Sequence, residues 1–124
     1  MTILEAINRV DTTKPNSYTQ TEKVDWLSTL DGIIKKELID TYEGGEAIVF
    51  EGYTPDTSLD TVLLVPAPYD DIYIRWLESR IDYANAEYGK YNNSATAYNK
   101  AFEAYARYFI RNNMPKHTTK RFIF

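Results

Sequence analysis

The sequence predicts a mainly helical α+β domain: a helical bundle closed by a C-terminal helical hairpin and carrying a small two-stranded β-hairpin. Three observations predict it. Apolar residues recur at steps of three and four near residues 3–10, 27–38 and 77–109. Two threonines carry the Thr-x-x-Glu spacing that opens a helix, Thr2 with Glu5 and Thr19 with Glu22. Between Glu46 and Val65 the period is lost, and two short apolar runs flank a polar interval containing Gly and Pro. A chain of 124 residues can bury one modest core. The domain is placed at residues 1–113, and residues 114–124 form a basic tail expected to be flexible.

The first helix follows Thr2, has Ile3, Leu4, Ile7 and Val10 at helical intervals, and is expected to reach about Asp11. Pro15, Asn16 and Ser17 end it and form a linker. A longer second helix runs from Thr19 to about Thr41, with Leu27, Leu30, Ile34 and Leu38 on its apolar face and Trp26 and Ile33 widening it. Gly32 weakens that helix by about 1 kcal/mol relative to Ala and reads as a point of close helix-helix approach. Gly44 and Gly45 stop it, since glycine reaches the positive φ of a helix end. The runs at 47–50 and 62–65 read as the strands of a hairpin over residues 46–65, apolar on both faces and ended by Pro66 and Pro68. An isolated hairpin is marginal in water, so this one is expected to pack on a helix or pair with a neighbour's edge.

The C-terminal third organises the rest. Leu77, Ile81, Ala84, Tyr88, Tyr91, Ala95, Tyr98, Phe102, Tyr105 and Phe109 alternate steps of four and three, one continuous stripe that must be buried. Asp70 or Asp71 is the expected N-cap, with Asp71 and Arg75 at ion-pair spacing. Gly89 and Asn92-Asn93-Ser94 interrupt with turn-forming residues, which predicts two antiparallel helices at about 71–91 and 94–112. The alternative is one helix of about 42 residues. At 1.5 Å per residue it would span roughly 63 Å, more than the remaining chain can cover, and would require an oligomer.

Composition bounds the function. Without cysteine, neither a disulfide framework nor a thiolate zinc site exists. The absence of a basic leader and of any run of about 18 apolar residues makes a soluble, cytoplasmic chain with no membrane partner the expectation. Residues 1–103 hold nine basic and eighteen acidic side chains, whereas residues 104–124 hold five basic and no acidic ones. An acidic body with a basic end suits head-to-tail association of copies, and no specific nucleic-acid contact is expected. Eleven tyrosines supply rings with polar tips, suited to surfaces covered by a partner and wet at the rim.

Catalytic, cofactor-binding and metal-ligating residues are all read as none. His117 stands alone in the tail. Asp56, Ser58 and Asp60 have the spacing of a calcium loop, yet Thr61 stands where its glycine belongs and Ala67 where its glutamate belongs. An enzyme would have to gather carboxylates such as Asp70, Asp71 and Glu78 in one pocket. The residues expected at interfaces are Tyr53, Tyr69, Tyr73, Lys120, Arg121, Phe122 and Phe124.

Two capped N-terminal helices, Leu30-Asp31-Gly32-Ile33-Ile34-Lys35-Lys36-Glu37, an apolar hairpin, Leu64-Val65-Pro66-Ala67-Pro68-Tyr69-Asp70-Asp71-Ile72-Tyr73 leading into Trp76-Leu77-Glu78, and Tyr91-Asn92-Asn93-Ser94 follow one another in this order. The layout resembles small head-tail connector, or adaptor, proteins of tailed phages and prophages of Gram-positive bacteria, over about residues 3–114. The resemblance implies a non-enzymatic, mostly helical virion subunit that forms a ring of identical copies between portal and tail-completion proteins. It would be found in the host cytoplasm during assembly and then in the virion. A small phage-encoded regulatory or inhibitory module acting on a host protein is the alternative.

Overall fold

The computed structural model describes residues 1–116 and contains four helices: α1 (Ile3–Thr13), α2 (Gln20–Glu37), α3 (Ile72–Ala84) and α4 (Tyr88–Asn112). Both capping boxes form. The Thr2 hydroxyl accepts from the Glu5 amide at 3.2 Å while the Thr2 amide donates to the Glu5 carboxylate at 3.0 Å. Thr19 and Glu22 exchange the same pair of bonds. Each box satisfies donors that a helix start would otherwise leave orphaned.

α2 leaves α-helical geometry at Leu38, and the chain tightens into a 3-10 turn over Ile39–Thr41. Gly44 then takes a φ of +84°, and a Cβ on Gly45 would stand 2.2 Å from the Ile39 carbonyl oxygen, so the backbone closes where only glycine fits. Gly32 faces the ring of Phe50 in the following connection, so the close approach there is by a side chain and not by another helix.

The core is built from Ile3, Ala6, Ile7 and Val10 of α1, Val24, Leu27, Leu30 and Ile34 of α2, and Ile72, Tyr73, Leu77 and Ile81 of α3, all buried. α3 packs against all three other helices. α4 contributes only Tyr105 and Phe109 at full burial, so most of its expected stripe is half-covered.

The expected β-hairpin over residues 46–65 is absent, and no β-strand forms among the described residues. The first run begins in a 3-10 turn (Gly45–Ala47) and then leaves Ile48 and Val49 exposed. The second run pairs with the start of α1 instead. The Ile3 and Leu4 amides donate to the Thr61 and Leu59 carbonyls at 3.1 and 3.0 Å, and the Leu63 amide donates to the Met1 carbonyl at 2.9 Å. The amides of α1's first turn need external acceptors, and a chain that supplies them while burying Leu63 and Val65 satisfies more than a marginal hairpin would.

The C-terminal helical hairpin is present, but its turn lies at residues 85–87, before the expected site. Ring contacts Tyr83–Tyr91, Trp76–Tyr98 and Tyr69–Tyr105 run in opposite chain directions, as antiparallel helices require. Asn92, Asn93 and Ser94 lie inside α4. Their poor propensities cost a few tenths of a kcal/mol each, less than the burial of Tyr98, Tyr105 and Phe109 returns. Gly89 sits in α4's first turn, where its cost is small. Asp71 occupies the N-cap position of α3 without a side-chain cap bond, and Arg75 pairs with Glu78 at 3.3 Å in place of Asp71.

The turn itself holds Ala86 at a φ of 58°, a left-handed conformation that costs a residue with a Cβ about 1 kcal/mol or more. Ala86→Gly is therefore expected to stabilise the chain by about 0.5 kcal/mol, the larger entropy of glycine in the unfolded state offsetting part of the relief. The midpoint of a urea titration checks this.

The basic segment starts anchored. The Glu43 amide donates to the Met114 carbonyl at 2.8 Å, the Lys116 amide donates to the Thr41 carbonyl at 3.0 Å, and Lys116 lies 3.6 Å from Glu46. The rest of the tail, with His117, lies outside the described residues.

Candidate functional site

Residues 48–71 cross the molecule without regular secondary structure, and, beside their bonds to the start of α1, a buried carboxylate ties them to α2 and α3. Asp31, on α2, is fully buried. It accepts hydrogen bonds from the Tyr53 hydroxyl at 2.5 Å, the Tyr73 hydroxyl at 2.7 Å and the Leu64 amide at 3.1 Å. The Tyr73 oxygen also accepts from the Val65 amide at 2.7 Å. Asp31 lies four residues after Leu27 and three before Ile34, on the buried face of α2. That spacing was the signal in the sequence: an acid in step with an apolar stripe must enter the core and find donors there.

Burial raises the Asp31 pKa, against the pull of its three donors. Burial also raises the phenols of Tyr53 and Tyr73, helped by the adjacent carboxylate, so both remain protonated donors. The surface groove of about 300 Å³ beside Tyr53 is lined by Thr21, Glu22, Val24, Asp25, Tyr53 and Pro55, and Asp31 is not in its wall. The arrangement is a strut joining α2, the crossing segment and α3, closed to substrate.

The residues expected at interfaces divide. Tyr73 is fully buried, so its expected place on the surface is corrected: its ring fills the core and its hydroxyl completes the Asp31 network. Tyr53 is half-buried, with its ring edge-on to Phe50 at 5.0 Å. Tyr69 is half-buried against Tyr105 and Tyr108 of α4. Lys120, Arg121, Phe122 and Phe124 lie outside the described residues.

The carboxylates Asp70, Asp71 and Glu78 are not gathered. A groove of about 290 Å³ between α3 and α4 holds Glu78 with Asp82, Lys14, Arg75 and Lys90, but neither Asp70 nor Asp71. Its acids are paired, Glu78 with Arg75 and Asp82 with Lys14, the latter at 2.7 Å to both carboxylate oxygens. Among the described residues no cluster of three or more His, Cys, Asp or Glu is placed to hold a metal ion, and no helix is long and apolar enough to cross a membrane.

Val49 is 75% exposed, Val62 67%, Tyr88 59%, Tyr83 54% and Ile110 52%. On α3, the Arg80 guanidinium lies 4.5 Å from the centre of the Trp76 ring, with Tyr83 and Tyr91 at its flanks. Arg80 is not among the residues expected at interfaces, because its neighbours Tyr83 and Tyr91 come from either side of a turn that was expected elsewhere.

No family model matches the chain, and no curated protein or solved structure matches it.

Proposed function

We propose that this chain is a structural subunit of a tailed-phage particle that acts in head-tail joining, assembling as a ring of identical copies between portal and tail-completion proteins. The observation that carries this reading is the sequence resemblance over residues 3–114. The folded chain agrees with it in two respects. Its buried carboxylates Asp31 and Asp82 are spent on internal struts, and its exposed large side chains, Val49, Val62, Tyr83, Tyr88 and Ile110, are of the kind that a partner covers. The body is acidic, which favours association with a partner or copy presenting basic groups. On this reading the chain works by adhesion and carries out no reaction.

Two measurements test it. Particles made without this chain are expected to accumulate as separate heads and tails in electron micrographs, and normally joined particles would overturn the proposal. Light scattering of the purified chain is expected to give a molar mass that rises with concentration and falls with added salt, since exposed charges are screened over about 10 Å at 0.1 M ionic strength. A monomer at every concentration, together with joined particles, would favour the regulatory binding module instead.

A further inference from the structure

We propose that the surface around Arg80 receives the acidic segment 49–62 of a second copy of this chain, forming a heterologous contact. This rests on the ring reading above and names the two surfaces that would build it.

The receiving half is defined by an arginine without a counter-ion. Seven of the twelve basic side chains among the described residues have a carboxylate within ion-pair distance. Arg80 has none there, although acids outnumber bases in those residues by eighteen to twelve. Its Nε is buried without a hydrogen-bond partner, and its Nη2 donates only a long bond of 3.4 Å to the Tyr91 hydroxyl. The guanidinium lies over the Trp76 ring at the α3–α4 seam, and the exposed rings of Tyr83 and Tyr88 continue the patch outward. A planar, weakly hydrated cation on an aromatic platform is suited to a carboxylate arriving from outside. Arg, Trp and Tyr are also the residues that dominate binding energy at interfaces.

The docking half must be acidic with apolar contacts. Residues 49–62 meet that description: Val49 and Val62 are the two most exposed aliphatic side chains of the segment, and Glu51, Asp56 and Asp60 between them are exposed without an ion-pair partner among the described residues. The two halves lie on different sides of α2. The segment rests on Ser28, whose hydroxyl accepts from the Tyr53 amide at 2.9 Å, whereas Trp76 beneath Arg80 donates to the Trp26 carbonyl at 2.7 Å. Positions 26 and 28 are about 200° apart around a helix. Two complementary patches on different sides of one subunit make a head-to-tail contact, which closes into a ring when its rotation permits.

The test uses two variants of the full chain. Arg80→Met keeps an unbranched stem on Trp76 and removes the charge; the Asp56→Asn/Asp60→Asn pair removes charge from exposed positions that carry no core contact. Circular dichroism and thermal melting establish that each folds. Light scattering at low salt is expected to show wild-type association, and each variant is expected to weaken it tenfold or more, about 1.4 kcal/mol. Mixing the two variants is expected to give one-to-one pairs that grow no further, because only one of the two contacts per pair remains intact. If the wild type associates and the Asp56/Asp60 variant associates equally well, this contact is overturned while assembly through another surface stands. If the wild type stays monomeric throughout, both this contact and self-assembly in solution are overturned.

Discussion

Asp31→Ala is expected to destabilise the chain by about 3–4 kcal/mol, a large part of the 5–15 kcal/mol that holds a domain of this size together. The substitution leaves the Tyr53 and Tyr73 hydroxyls and the Leu64 amide pointing at an apolar methyl group. Each stranded buried donor costs about 1–3 kcal/mol, and relief of the buried carboxylate's desolvation returns part of the total. Asp31→Asn keeps the volume and one acceptor and should cost about half as much. Urea titrations of the three chains give the comparison.

The same variants carry a pH signature. Burial holds the Asp31 carboxyl above its ordinary pKa, so the folded chain keeps this proton to a higher pH than the unfolded chain does. Between the two values the folded state binds more protons, and Asp31's contribution to stability rises as pH falls and is lost as pH rises through the folded value. Glu5, Glu46 and Glu87 act in the opposite sense. Hydrogen bonds hold their carboxyls below the ordinary range, chiefly a backbone bond from Thr2 for Glu5 and the Lys90 ammonium for Glu87, and their contributions fade in acid. The wild type's margin over Asp31→Asn should therefore widen as pH is lowered from about 7 toward about 4. A constant margin across that range would contradict the assignment.

Lys14→Met is expected to cost about 2–3 kcal/mol. Asp82 is buried on α3, and the Lys14 ammonium, at the end of α1, meets both of its oxygens at 2.7 Å. Removing the cation leaves a buried carboxylate without its partner, a change that costs about 3–5 kcal/mol for a fully buried pair; the partial exposure of Lys14, which lets water approach, lowers the figure. Replacing both groups, as Lys14→Met with Asp82→Leu, should recover at least half of the loss, because the desolvation of Asp82 then vanishes with its charge. A double-mutant cycle in urea measures the coupling.

The helices were legible where local chemistry decides structure. Thr2-Glu5 and Thr19-Glu22 placed two helix starts, because a capping box is complete within four residues. The helical hairpin was legible in its existence and misplaced in its turn. Asn92-Asn93-Ser94 announced a break that packing overrode, while Ala86 sits in a left-handed conformation that sequence assigns to glycine or asparagine. The region 46–65 was misread because its apolar runs met the rule for strands, whereas the first is left exposed and the second is placed by the distant amides of α1. Of the residues expected at interfaces, Tyr53 and Tyr69 are half-buried against their own chain and Tyr73 is in the core, since large rings near helix starts are covered by neighbouring helices. Arg80 was not among them, since its setting is assembled by two helices whose relative register depends on the turn.

The Asp31 strut joins residues 22, 33 and 42 positions away along the chain. Loops of that length close at an entropic cost that must be met before their contacts can reward it. The helices and the short α3–α4 turn have no such delay. A contact made after the rate-limiting step leaves refolding nearly unchanged, so the loss in Asp31→Ala is expected to fall on the unfolding rate, which stopped-flow kinetics in urea would show. On that expectation, one carboxylate is the timekeeper of how long the folded form endures.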